Sequence, residues 1–170
     1  LPTYLSNELG FSSRASFLSV NISLLFYLLA IFVMGWLSDH VGRKRMLVVA
    51  SVGFVLFSVP LFMVMGTGQL WKACLAEGVL CLFLTANDGT MASYLAESFP
   101  TEFRYTGFAV SQNLANAVFG GTASAVCTWV IGVTGSRLAP AWYLTAVSLL
   151  SLCAMVASHE HTGRDLSEVV

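Results

Sequence analysis

Few side chains in this chain are suited to chemistry, and they gather at a handful of places. The segment Gly35-Trp36-Leu37-Ser38-Asp39-His40-Val41-Gly42-Arg43-Lys44-Arg45-Met46-Leu47 carries one acid and three bases. Glu97 and Arg104 flank a second polar segment, and Glu160 and Arg164 lie near the C-terminus. Opposite charges so placed form ion pairs and charge-assisted hydrogen bonds. Asp88 stands beside Asn87 and Gly89 within an otherwise apolar run. A lone acid in such a run carries a proton, balances a cation, or hydrogen-bonds within a helix bundle. Asn113, Asn116 and Gly120 recur at i, i+3 and i+7, one face of a helix, and Ser124 and Thr128 extend the stripe. A polar stripe on an apolar helix either joins it to a neighbour or lines a water-filled path.

Covalent and metal chemistry find no matching pattern. His159-Glu160-His161 lacks the spacing of a zinc-binding HExxH, and there is no G-x-S-x-G. Asp88 has no second aspartate inside an apolar run to form a dyad. Cys74, Cys81, Cys127 and Cys153 are far apart, which fits neither a disulfide framework nor metal ligation. We expect no enzyme activity, no metal and no cofactor.

The elements that hold these groups follow from composition. Of 170 residues, 56% are hydrophobic and 10% charged, and mean hydropathy is +0.77. Soluble domains carry about 25% charge, so this is the composition of a membrane protein. A formal net charge of −1 offers no basic surplus for nucleic acid. Uncharged runs of 24, 26, 32 and 21 residues separate Arg14 from Asp39, Arg45 from Lys72, Arg104 from Arg137, and Arg137 from His159. About 20 apolar residues cross the hydrocarbon as a helix, and lipid tolerates no unpaired backbone. The residues predict an all-α membrane protein with five spans, roughly 16–38, 46–68, 74–95, 106–134 and 139–158. The third is less clean, since it contains Glu77 and Asp88, but its neighbours must be joined across the membrane.

Basic residues set the orientation. Arg43, Lys44, Arg45, Arg104 and Arg164 fall on one side and Arg14, Lys72 and Arg137 on the other, so the first group is expected to be cytoplasmic, with residues 159–170 as a cytoplasmic tail. Glu77, near the outer edge, is expected to be a surface partner for Lys72. Trp71, Trp129 and Trp142 fall near span ends, where indoles favour the interface, and the phenylalanines and methionines are expected to face lipid and neighbouring helices. Leu1-Pro2-Thr3-Tyr4-Leu5 is apolar pattern without a beginning. We expect residues 1–10 to be the outer end of a further helix, with an N-terminal half of the protein absent from this chain.

The ordered set Gly35, Leu37, Ser38, Asp39, Gly42, Arg43, Lys44 and Leu47 resembles the loop of the major facilitator superfamily, G-x-L-[AS]-D-[RK]-x-G-R-[RK]-x-x-L, with His40 in place of the usual base. Glu97-Ser98-Phe99-Pro100-Thr101-Glu102-Phe103-Arg104-Tyr105-Thr106-Gly107, then Phe119-Gly120-Gly121, then Gly163-Arg164-Asp165-Leu166, resemble its metabolite:proton symporter branch, which includes transporters of proline and betaine, dicarboxylates and shikimate. His159 and His161 depart from that branch's tail, and Ser124 stands near a place where relatives often carry proline.

The resemblance covers nearly the whole chain. It implies the C-terminal half of a twelve-helix fold: five complete transmembrane helices, eight to twelve, plus the end of a sixth, the seventh of the fold. It implies a secondary active transporter of a small organic metabolite or osmolyte, working by alternating access and driven by a proton gradient, in the plasma membrane or, in a bacterium, the inner membrane. Its partners would be a small-molecule substrate, protons, membrane lipid and the N-terminal half. Asp39, Arg43, Glu97, Arg104, Glu160 and Arg164 would then form a conformational gate on the cytoplasmic side, with Asp39 near Thr106 at the start of the fourth span. Asp88, Asn113, Asn116 and Gly120 would belong to the substrate or proton path, with Asn21 and Tyr27 as weaker candidates. The alternative is a truncated transporter remnant acting only as a membrane-embedded interaction partner.

Overall fold

The computed structural model describes residues 2–157. Among them there are only helices: α1 Pro2–Asn7, α2 Ser13–Val41, α3 Arg43–Met65, α4 Leu70–Ser98, α5 Arg104–Ala115, α6 Gly121–Thr134 and α7 Ala139–Ala157. A single π-helical turn, Asn116–Gly120, joins α5 to α6, so Arg104–Thr134 runs as one long rod. Among the described residues five helices are long and apolar enough to cross a membrane: α2, α3, α4, the α5–α6 rod and α7.

The helices begin and end where local chemistry requires. Ser12 caps α2, its Oγ accepting from the Ala15 N–H at 3.2 Å. Gly42, at φ 106°, makes the one-residue reversal between α2 and α3, a backbone region that side chains rarely adopt. Polar residues at span ends stay helical beyond the apolar run, so α4 covers 70–98 where the apolar pattern alone suggests 74–95.

Packing inverts the pattern of a soluble protein. On α2 the buried residues are Ser16, Ser19, Ser23 and Ser38, while Leu29 and Phe32 are 64% and 73% exposed. Small residues let helix backbones approach, and lipid takes the apolar face. α4 is the hub, packed against α2 on one side and α3 on the other, with α7 against α3. The main core joins Leu5 of α1, Phe54, Phe62 and Met65 of α3, Ala76 and Leu80 of α4, and Ala141 of α7. The α5–α6 rod stands apart. Its α5 part touches α4 and its α6 part touches α7, and none of its residues is buried.

Candidate functional site: a cavity, a polar seam and an ion-paired end

Between the α5–α6 rod, which makes few contacts with its neighbours, and the rest of the bundle lies a space of about 570 Å³. Tyr4 of α1, Glu8 just beyond it, Phe54 and Phe62 of α3, Glu77 and Cys81 of α4, Ser124 and Thr128 of α6, and Tyr143 of α7 line it. Aromatic rings with a few convergent polar groups are the usual lining of a small-molecule site.

The expected polar stripe of the fourth span is divided by the π turn. Gly120, Ser124 and Thr128 line the cavity; Asn113 and Asn116 are exposed and do not. The cause is geometric. The Gly121 N–H donates to the Asn116 carbonyl, five residues back, so the turn holds one residue more than an α turn and rotates what precedes it. The Tyr143 hydroxyl donates to the Phe119 carbonyl within this turn at 2.9 Å.

A polar seam runs along the α2–α4 contact. Ser19 Oγ donates to Glu77 Oε2 at 2.5 Å, and Ser23 Oγ donates to the same oxygen at 3.1 Å. The Cys74 thiol donates to Ser19 Oγ at 3.2 Å. Three turns along α4, the Tyr27 hydroxyl donates to Asp88 Oδ2 at 3.0 Å. Asp88 is half-buried in the seam and does not line the cavity. Asn21 turns back on its own helix, its amide donating to the Phe17 carbonyl at 2.7 Å.

Glu77 corrects the sequence reading. It is not a surface partner for Lys72: it is 1% exposed and held by two serines of α2. Its second oxygen, Oε1, is buried with no hydrogen-bond partner. The Lys72 ammonium lies over the Trp71 ring instead, 5.5 Å from its centroid. The signal available in the sequence was Ser16, Ser19 and Ser23 at i, i+3 and i+7, a hydroxyl stripe that needs a polar partner on the facing helix.

At the other end, Arg43 holds three groups. Its Nη2 pairs with Asp39 Oδ1 at 3.2 Å, and its Nη1 pairs with Glu97 Oε1 and donates to the Ser93 carbonyl at 3.3 Å. The arginine therefore ties the α2–α3 corner to the end of α4. Asp39 does not reach the start of the fourth span; α5 has no side-chain cap at its N-terminus. Arg104 lies nearby in sequence order but joins no ion pair among the described residues, and its Nε and Nη2 are buried without partners. Glu160 and Arg164 lie outside the described residues. In the signature loop, Gly35 packs against Gly89 of α4, half-buried Leu37 lies against Met46 and Ala50, and Lys44 is half-buried.

A family model described as Major Facilitator Superfamily matches residues 1–166. The chain belongs to that superfamily. A putative proline/betaine transporter of Staphylococcus haemolyticus is 32% identical over 96% of the chain and 35% of its own length. A glycine betaine/proline/ectoine/pipecolic acid transporter of Dickeya dadantii is 31% identical over 98% of the chain and 33% of its own length. An ectoine/proline transporter of Corynebacterium glutamicum is 30% identical over 98% and 33%. The chain thus spans about a third of the length of the curated relatives it matches. No solved structure matches it significantly. Membership makes it an integral, multi-pass membrane protein of a transporter superfamily rather than an enzyme.

Proposed function

We propose that this chain is the C-terminal half of a secondary active transporter that carries a small zwitterionic or carboxylate metabolite, with proline, betaine and ectoine as the nearest chemical models, by proton-coupled alternating access. A transporter of this superfamily places its substrate near the bilayer midplane, between halves that rock against each other. The observation that carries the reading is a lined cavity at one end of the bundle and an ion-paired corner at the other. The cavity of about 570 Å³ opens beside the α5–α6 rod, while Arg43 clasps Asp39 and Glu97 at the opposite end.

In this reading the Arg43 end is cytoplasmic, as its cluster of bases requires. Asp39, Arg43 and Glu97 form the inner latch, with Arg104, Glu160 and Arg164 completing it. Asp88, held by Tyr27, is a proton site or counter-charge within the half. Gly120 borders the substrate path, and the exposed Asn113 and Asn116 meet the opposing half. The test is uptake of radiolabelled proline and glycine betaine by the whole transporter in proteoliposomes. Accumulation driven by an inward proton gradient supports the reading, and its absence for both solutes with folded protein counts against it.

A further inference from the structure

The superfamily assignment leaves one buried group without a task. Glu77 borders the cavity with its side chain almost wholly buried, and one of its two oxygens has no partner. Burying an acid in a membrane helix is costly unless it is neutralised or met by a cation. Both ion pairs among the described residues belong to Arg43, at the far end of the bundle. The groups that share its cavity are Tyr4 of α1, Glu8 just beyond that helix, Cys81 of α4, Cys127 of α6 and Tyr143 of α7, with Ser19 and Ser23 of α2 against it and Cys74 on Ser19; α3 contributes phenylalanines. None of these is a cation. What neutralises this carboxylate must be small, because Oε1 is itself buried, and a proton fits where a solute does not.

Glu77 is also joined to the second acid of α4. The two are eleven residues apart, so they share a helix face and lie roughly 16–17 Å apart along the axis, about half of the hydrocarbon thickness. α2 supplies a hydroxyl donor to each, from Ser19 and Ser23 to Glu77 and from Tyr27 to Asp88. Between them Cys81 stands one turn along α4 from Glu77 and lines the same cavity.

We propose that Glu77 is the proton-binding carboxylate on the cavity side of a path along the α2–α4 seam, with Asp88 as its inner station. A proton from outer water binds Oε1, leaves the carboxylate neutral while the cavity is loaded, and is released inward past Tyr27 and Asp88, restoring the anion. The inference rests on the proton-coupled reading above and assigns the coupling site to this half.

The test uses the whole transporter in proteoliposomes with radiolabelled proline as probe. Glu77→Gln is expected to lose accumulation driven by an inward proton gradient, and the accompanying proton entry, while still exchanging internal for external proline at equal pH. If it accumulates proline like wild type, or loses exchange as well while remaining folded, the inference is overturned. Should Glu77→Gln fail to reach the membrane, the double variant Ser19→Ala, Ser23→Ala decides, since it keeps the acid and removes its donors. A displaced pH profile of uptake supports the inference, and a wild-type profile overturns it. Wild-type uptake indifferent to the proton gradient would instead refute the proton-coupled reading itself.

Discussion

Gly35 and Gly89 bring the backbones of α2 and α4 into direct contact. A β-carbon built on Gly89 would sit 3.1 Å from the Gly35 nitrogen and 3.1 Å from the Ile31 carbonyl oxygen. Both neighbours are backbone, so they yield only if the helices part. The crossing lies one residue from Asp88, and parting the helices there would loosen the Tyr27–Asp88 hydrogen bond. Gly89→Leu is therefore expected to cost about 1–3 kcal/mol, the range for overpacking a close contact. Gly78 of the same helix has nothing within 4 Å of such a β-carbon, so Gly78→Ala should leave stability unchanged or slightly raised. Thermal unfolding in detergent checks both, and equal midpoints for the two variants would contradict the crossing.

Arg43 and its two acids are not equivalent contributors. Asp39 is 57% exposed at its side chain and lies four residues from Arg43 across the Gly42 reversal, whereas the Glu97 side chain is only 19% exposed and belongs to α4. Exposed pairs contribute up to about 1 kcal/mol, so Asp39→Asn should leave the amount of folded protein nearly unchanged. Its expected effect is on the latch, with several-fold slower uptake at matched expression. Arg43→Gln should be worse in both respects, because it releases Asp39, Glu97 and the Ser93 carbonyl together. Undiminished uptake by both variants would remove the latch from the account.

Tyr143 steadies the π turn from α7 through its bond to the Phe119 carbonyl. Tyr143→Phe keeps the ring and removes the donor. Hydrogen bonds between membrane helices are worth about 1 kcal/mol or less, so the bundle should remain folded. The change should be local: faster amide hydrogen exchange over residues 116–121, with α3 and α4 unaffected. Unchanged exchange in that segment would show that the turn is held without the tyrosine.

Much of this architecture was legible because lipid leaves few alternatives. An uncharged run such as 105–136 has one stable form in hydrocarbon, and the sharp turn at Gly42 is visible as a glycine between two such runs. The Gly35 close approach was equally readable, because a small residue there has no other packing role. The π turn was not. Asn116-Ala117-Val118-Phe119-Gly120 suits an α-helix as well, and one extra residue in a turn leaves no mark on composition. Nearness to Lys72 along the chain points Glu77 to the surface, and the structure buries it. Its true environment is set by Ser19 and Ser23, 58 and 54 residues away. The ion-paired end was readable as a set of charges but not as a geometry: Arg43, rather than Asp39, is the centre that the others meet.

The central claim, that this bundle is one half of a proton-driven solute transporter, is tested most directly by imposing a pH gradient on proteoliposomes containing the whole transporter and following labelled proline and glycine betaine. We expect accumulation above the external concentration when the outside is acidic, collapsing on addition of a protonophore. Uptake that never exceeds equilibration, or that is unchanged by the protonophore, would contradict the claim.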